Sequence, residues 1–389
     1  MSHLMNNYNR LPATFTHGQG CRLFDAHGRS YLDALAGIAV NTLGHNHPRL
    51  VAALRDQIGR LIHVSNLYGV AEQEALADRL ADLAGMDEVF LCNSGCEANE
   101  AAIKLARLYG HKRGVSNPAI VVMEHAFHGR TIATLSATGN RKVQAGFEPL
   151  APGFIRVPFD DFAAIEQAAG NSSIVAVLFE PIQGEGGINL CHDEYMQGLR
   201  RLCDDKGWLL MVDEVQCGIG RSGEWFAFQH AGVLPDVLTL AKGLGGGVPV
   251  GACLAAGAAA GVFAPGNHGS TFGGGPLASV AALTTLAVIG DEGLHRRAGV
   301  LGERVRSALR DKLGGRDEVV SIRGRGLMIG VELDRPCAAL AGMALEAGLL
   351  INVTADSVVR LLPPLVISDA EADEMVDILA TMIERFLAD

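Results

Sequence analysis

Between residues 88 and 255 the chain alternates two kinds of pattern. Short, unbroken apolar runs lie at 88–92, 119–123, 174–179, 208–212, 237–241 and 250–255. Most are separated by longer stretches in which apolar residues recur every three to four positions. An unbroken apolar run suits a strand buried on both faces, and the longer period suits a helix laid over it. The alternation predicts an α/β fold with a largely parallel sheet between helices. Upstream, 22–25 and 31–33 flank Gly28 as a short hairpin, and helices are expected at about 47–62 and 71–83. After about residue 290 the texture changes. A long helix leads to a strand at 327–333, a helix near 338–347, a strand at 349–353 and a final helix. Met375, Ile378, Leu379, Met382 and Phe386 share one face of that last helix, and Ser368 with Glu371 forms a capping box at its start. The expected division is an N-terminal segment (1–45) packing with a small domain, a large domain (46–280) and a smaller α+β domain (281–389).

Composition narrows the class. Of 389 residues, 49% are hydrophobic and 19% charged, an ordinary globular balance with ample core. The net charge of −11 argues against a nucleic-acid backbone or an anionic membrane as partner. Eight scattered cysteines without a CxxC predict reduced thiols in a cytoplasmic protein, not a disulfide framework or a metal site. The N-terminus is polar and reads as no signal peptide, with Met1-Ser2-His3-Leu4 before Met5 as an added leader or alternative start. The most apolar stretch, 277–289, is too short to span a bilayer and reads as a buried helix.

Ligands in open α/β sheets bind beyond the carboxyl ends of the strands, and here those ends carry polar or glycine-rich clusters. Asn93-Ser94-Gly95-Cys96 opens a helix, where free backbone N–H groups suit an anion and Ser94 alternatively serves as a plain cap. Phe127-His128-Gly129-Arg130 offers an aromatic face and a carboxylate clamp, or else a core residue and a surface ion pair. Glu180 and Glu185 sit in a glycine-rich turn and either face a ligand or bond their own loop. Arg360, before Pro363-Pro364, is a second clamp or a domain-closing ion pair. The most informative pair is Asp213 and Lys242, each ending an apolar run. Pyridoxal phosphate needs such a pair: an amine to bond its aldehyde, and a carboxylate to keep its pyridine nitrogen protonated. For Asp213 the rival is a salt bridge to a structural arginine, and for Lys242 simple access to solvent. A Rossmann reading of Gly243-Leu-Gly-Gly-Gly247 fails, because it follows a lysine and lacks the downstream acid.

In order and spacing these clusters resemble the class III, or ω-amino, branch of the pyridoxal-phosphate aminotransferases of fold type I, over about residues 10–385. The motifs that carry the resemblance are Gly44-His45-Asn46-His47-Pro48, Ser65-Asn66-Leu67-Tyr68, Phe127-His128-Gly129-Arg130-Thr131, Gln183-Gly184-Glu185-Gly186-Gly187, Ser270-Thr271-Phe272-Gly273-Gly274 and Arg360 with the two prolines. The resemblance implies that Lys242 bonds the cofactor and then shuttles protons, while Asp213 pairs with the pyridine nitrogen. Gln216 lies near the cofactor hydroxyl, and Gly95 and Cys96 hold phosphate through backbone N–H. Phe127 covers the ring, and Ser94, His128 and Ser270 complete the cofactor set. Thr271 reaches the site of the other subunit, so a homodimer is implied. Arg130 and Arg360 hold substrate carboxylates, Glu185 masks Arg360, and Glu180 supports the base of the site. Cys96 replaces the usual Thr or Ala, and Gly69 replaces a frequent aromatic.

The implied reaction moves the terminal amino group of N-acetylornithine to 2-oxoglutarate. Glutamate has a carboxylate on the reacting carbon and the N-acyl donor has none, so Arg360 must be neutralised for one partner and free for the other. Gly37 stands where ornithine-specific relatives place a tyrosine, which leaves room for an acyl group. Free ornithine, succinylornithine and succinyldiaminopimelate are the alternative donors, and an aminomutase the alternative reaction.

Overall fold

The computed structural model describes residues 3–388; Met1 and Ser2, the first part of the suggested leader, lie outside the described residues. Its centre is a seven-stranded sheet in the order Glu88–Cys92, Gly251–Ala255, Val237–Leu240, Leu209–Asp213, Ile174–Phe179, Ala119–Met123, Phe154–Val157. Gly251–Ala255 runs antiparallel to both neighbours and the other pairings are parallel. Every residue of the strands Ala119–Met123, Ile174–Phe179, Leu209–Asp213 and Val237–Leu240 is buried. That is the physical reason for their unbroken apolar runs: with helices on both faces, neither side of these strands meets water. Of the covering helices, Gly95–Lys112 turns a small-residue face of Ala98, Ala101, Ala102 and Ala106 inward. Pro276–Asp291, an apolar helix, is largely buried. Among the described residues no single helix is long and apolar enough to cross a membrane.

A second, antiparallel sheet has the order Val319–Arg325, Met328–Leu333, Val358–Leu361, Asn352–Thr354. The helices Leu294–Leu313 and Asp369–Ala388 lie beside it and are joined by ion pairs: Arg304 to Asp369 and Asp373, Lys312 to Asp377. The capping box forms as expected, with Ser368 N donating to Glu371 Oε2 at 3.0 Å and Glu371 N to Ser368 Oγ at 3.2 Å. All eight cysteines are unpaired.

One element departs from expectation. The strand anticipated over 349–353 is two. Leu349–Leu350 runs parallel to Ser30–Asp33 in an N-terminal sheet, and Asn352–Thr354 crosses to pair with Val358–Leu361. The buried Ile351 joins them, so the apolar pattern runs straight through the break. Strands went unread where the chain alternates poorly: Phe15–Gln19, Phe154–Val157 and Val319–Arg325 are edge strands with mixed exposure, and Ile182–Gln183 and Asn189–Leu190 are two-residue strands.

Candidate active site

A cavity of about 380 Å³ opens beyond the carboxyl ends of the central strands, within the size range of small-molecule sites. Lys242 follows the Val237–Leu240 strand and lines it, so the reading of a lysine reaching only solvent does not hold. Its backbone is in the left-handed region (φ 39°), a conformation uncommon for a residue with a side chain and kept where surroundings enforce it. A Cβ on the next residue, Gly243, would lie 2.5 Å from Thr42 Oγ1, so a side chain there would displace the buried Thr42. Burial pushes the Lys242 amine below the usual lysine range; Glu185 pulls it back up, and Arg360 adds to the fall.

Asp213, 3% exposed, ends the neighbouring strand on the same cavity. Its partners are not an arginine. His128 Nδ1 meets Oδ2 at 2.7 Å, Asn99 Nδ2 donates to the same oxygen at 2.7 Å, and Val215 N donates to Oδ1 at 3.0 Å. Asn99 also donates to His128 O (2.9 Å) and accepts from Thr239 Oγ1 (2.7 Å), so its amide is fully engaged and its orientation fixed. Sequence reasoning missed Asn99 and Thr239. The available signal was a polar side chain on the inward, alanine-rich face of one helix, and another inside an apolar strand.

The phosphate-cup expectation meets a helix start with unclaimed donors. Ser94 Oγ accepts from Glu97 N at 3.2 Å, so the plain-cap reading holds. The N–H groups of Gly95 and Cys96 take no acceptor among the described residues. Both residues line the cavity. The Cys96 thiol is engaged sideways, 3.2 Å from Thr134 Oγ1.

Phe127 and Arg130 also line the cavity, the guanidinium 5.6 Å from the ring centroid. Arg130 is exposed and makes no ion pair among the described residues. His128 is 2% exposed and its Nε2 is buried without a partner. Glu180 accepts from Phe127 N (2.9 Å) and Gly184 N (3.2 Å), and burial, with Asp213 nearby, pushes its carboxyl up to about 7.

Arg360 is completely buried and does not line the cavity; Gln216 lies between them. Its Nη1 donates to Glu185 Oε1 at 2.6 Å and to Gln216 Oε1 at 3.1 Å, and its Nε to Asn352 Oδ1 at 3.1 Å. Its Nη2 has no partner. Burial raises the Glu185 carboxyl, but Arg360 outweighs it and holds the group below its usual range. Glu185 and Arg360 thus form a direct ion pair.

Three further residues do not line the cavity. Ser270 Oγ accepts from Asn93 Nδ2 at 3.1 Å, behind the cup, and Thr271 is exposed at the surface. Gly37 lies in a turn in which Ala36, Gly37, Ile38 and Ala39 all have φ between 50° and 65°. Asp33 Oδ1 secures that turn through Leu35 N (3.0 Å) and Ala36 N (2.8 Å), and Val40 beyond it reaches the cavity.

These groups fit pyridoxal phosphate. An amine and a buried carboxylate face one space, two unclaimed backbone N–H groups stand at a helix start, and an orphaned imidazole nitrogen lies beside them. The class-III aminotransferase family matches residues 4–383. An acetylornithine aminotransferase of Nitrosomonas europaea is 58% identical over 388 residues, covering 100% of this chain and 99% of the relative. Among solved structures, the ornithine aminotransferase of Toxoplasma gondii superposes with TM-score 0.96 at 36% identity, covering 99% and 93% of the two chains. The acetylornithine aminotransferase of Elizabethkingia anophelis gives 0.87 at 35% identity, with 98% and 96% covered. With that match over nearly its whole length, the chain belongs to the class-III aminotransferases, pyridoxal-phosphate-dependent enzymes of fold type I.

Proposed function

We propose that this enzyme transfers the terminal amino group of N-acetylornithine to 2-oxoglutarate, giving N-acetylglutamate 5-semialdehyde and glutamate, a step of arginine biosynthesis. The observation that carries the reading is the ion pair of half-buried Glu185 with fully buried Arg360 (2.6 Å), one residue away from the Lys242 cavity, through Gln216. A site for one kind of substrate needs no removable mask on its arginine; a site for two needs one.

When bound, pyridoxal phosphate supplies an aldehyde to carry the amino group and a ring to accept the electron pair of the reacting carbon. Ser94 and the N–H groups of Gly95 and Cys96 would hold the phosphate. Asp213, oriented by His128 and Asn99, holds a proton at the pyridine nitrogen. Phe127 would supply an apolar wall and Gln216 would face the hydroxyl, while Glu180 fixes the loops of Phe127 and Gly184. Lys242 takes the proton from the reacting carbon and returns it on the far side of the transfer. Its lowered proton affinity suits that work, because the free amine is the base. Arg130 holds the distal carboxylate of either substrate. Arg360 receives the second carboxylate of glutamate, and Glu185 neutralises it otherwise, since a buried unpaired cation is costly.

The working unit is a homodimer in the cytoplasm, with no membrane or nucleic-acid partner. Leu67, Tyr68 and Phe272 are 86%, 68% and 64% exposed in the single chain, more apolar surface than such neighbouring loops leave in water. Asn66 ties the two loops together, donating to Ser270 O at 2.9 Å and Gly273 O at 3.2 Å. From this surface Thr271 would reach the phosphate site of the partner subunit. The proposed division is 1–45, 46–280 and 281–389; every residue lining the cavity comes from the first two segments, and Arg360 stands behind it from the third.

The test is a steady-state assay of purified enzyme with each donor and 2-oxoglutarate. N-acetylornithine is expected to give the semialdehyde with kcat/KM well above that of free ornithine, and no turnover without the oxo-acid. Preference for free ornithine overturns the donor; turnover without oxo-acid indicates a mutase.

A further inference from the structure

Glu185 and Arg360 differ in freedom. The guanidinium is fully buried, whereas 34% of the Glu185 side chain meets solvent. One short strand holds both at atoms their ion pair does not use. Asn352 stands directly opposite Arg360 across the antiparallel pairing, and its Oδ1 accepts from Arg360 Nε at 3.1 Å. Two residues on, hence on the same face of the strand, Thr354 Oγ1 donates to the backbone carbonyl of Glu185 at 2.6 Å. Thr354 is buried.

These contacts decide what can move. With Nε engaged, the guanidinium presents only its Nη1–Nη2 edge. Nη1 donates to Glu185 and to Gln216, and Nη2 has no partner, so the departure of Glu185 frees one N–H of Nη1 beside Nη2 as a two-pronged carboxylate site. With its carbonyl held, Glu185 leaves by side-chain rotation alone and its backbone stays. We propose that Asn352 and Thr354 are positioning residues for this exchange. Asn352 keeps Arg360 in place when its acid departs, so that a substrate carboxylate finds the edge already aimed. Thr354 keeps Glu185 within reach, so that it returns when the substrate has no carboxylate there. The inference rests on the reading that one site serves two amino donors.

Because the two residues act on opposite members of the pair, their loss shifts the enzyme in opposite directions. The test uses full-length holoenzyme carrying Asn352→Leu, Thr354→Val or Thr354→Ser. Each half-reaction is followed alone by the visible absorbance of the bound cofactor, with glutamate and with N-acetylornithine. Asn352→Leu is expected to lower kcat/KM for glutamate relative to N-acetylornithine by about tenfold, the upper range for one lost hydrogen bond. Thr354→Val is expected to move the same ratio the other way by about threefold, and Thr354→Ser, which keeps the hydroxyl, to restore it. A merely structural role lowers both half-reactions together and overturns the proposal, as do ratios unchanged within about twofold. If Asn352→Leu does not fold, the two Thr354 variants still decide. A parent enzyme inert to N-acetylornithine overturns the donor reading and this inference with it. A parent active on both donors, with variants that keep its ratio, overturns this inference alone.

Discussion

At the scale of single residues, the account turns on which charges stand alone. Arg360 is buried beside one carboxylate, and removing that carboxylate leaves a cation with only neutral partners. Glu185→Ala is therefore expected to favour glutamate over N-acetylornithine by about tenfold or more in the ratio of half-reaction kcat/KM; an unchanged ratio contradicts the mask. Lys242→Ala is expected to cut turnover by roughly a thousandfold or more without lowering the melting temperature, because its side chain faces the cavity and not the core. The sequence made these residues legible through position: each polar side chain ended an apolar run. It could not show how they pair. Asp213 invited an arginine partner and found His128 and Asn99 instead, because the helix that supplies Asn99 crosses the strand ends, and its polar residue hides in an alanine-rich face. Asn352 was equally silent, since its meaning depends on lying opposite Arg360 in a strand that had been read as continuous with 349–350.

At the scale of elements, buried acids tie loops to the sheet. Glu214 accepts from Ala227 N at 2.6 Å and Phe228 N at 2.8 Å and has no cation beside it, so burial pushes its carboxyl from 4.5 up to about 8. The folded state therefore binds a proton more tightly than the unfolded chain does. The sign follows: this contribution to stability is full below about pH 4.5 and is lost as pH rises toward about 8. Glu214→Gln is expected to flatten the fall of the melting temperature across that window; a slope equal to the parent's contradicts the assignment. Elements with a clean period were readable almost to their ends, as the fully buried strands were. Those formed by long-range pairing were not. The left-handed turn at Ala36–Ala39 is a case in point: only Gly37 among its four residues hints at positive φ, and the turn persists because Asp33 grips its first N–H groups.

At the scale of the whole molecule, the order of apolar runs was enough to give a parallel sheet with a site at its carboxyl edge. The antiparallel Gly251–Ala255 strand within it was not foreseeable from its composition. The apolar loops around Leu67 and Phe272 have a consequence in solution. Phe272→Asp is expected to convert a dimer of about twice the 40.9 kDa chain into monomer by light scattering, and to weaken cofactor retention with it. A parent enzyme that is monomeric at micromolar concentration, yet fully active, contradicts the shared site. The measurement that most directly tests the central claim is a single turnover without oxo-acid. Purified holoenzyme is mixed with N-acetylornithine, and the visible absorbance of its bound cofactor is followed. Rapid loss of that band, restored by 2-oxoglutarate and absent in Lys242→Ala, is the predicted result. A band that free ornithine removes faster than N-acetylornithine contradicts the donor, and a protein that never acquires the band with added pyridoxal phosphate contradicts the assignment of Lys242 and Asp213.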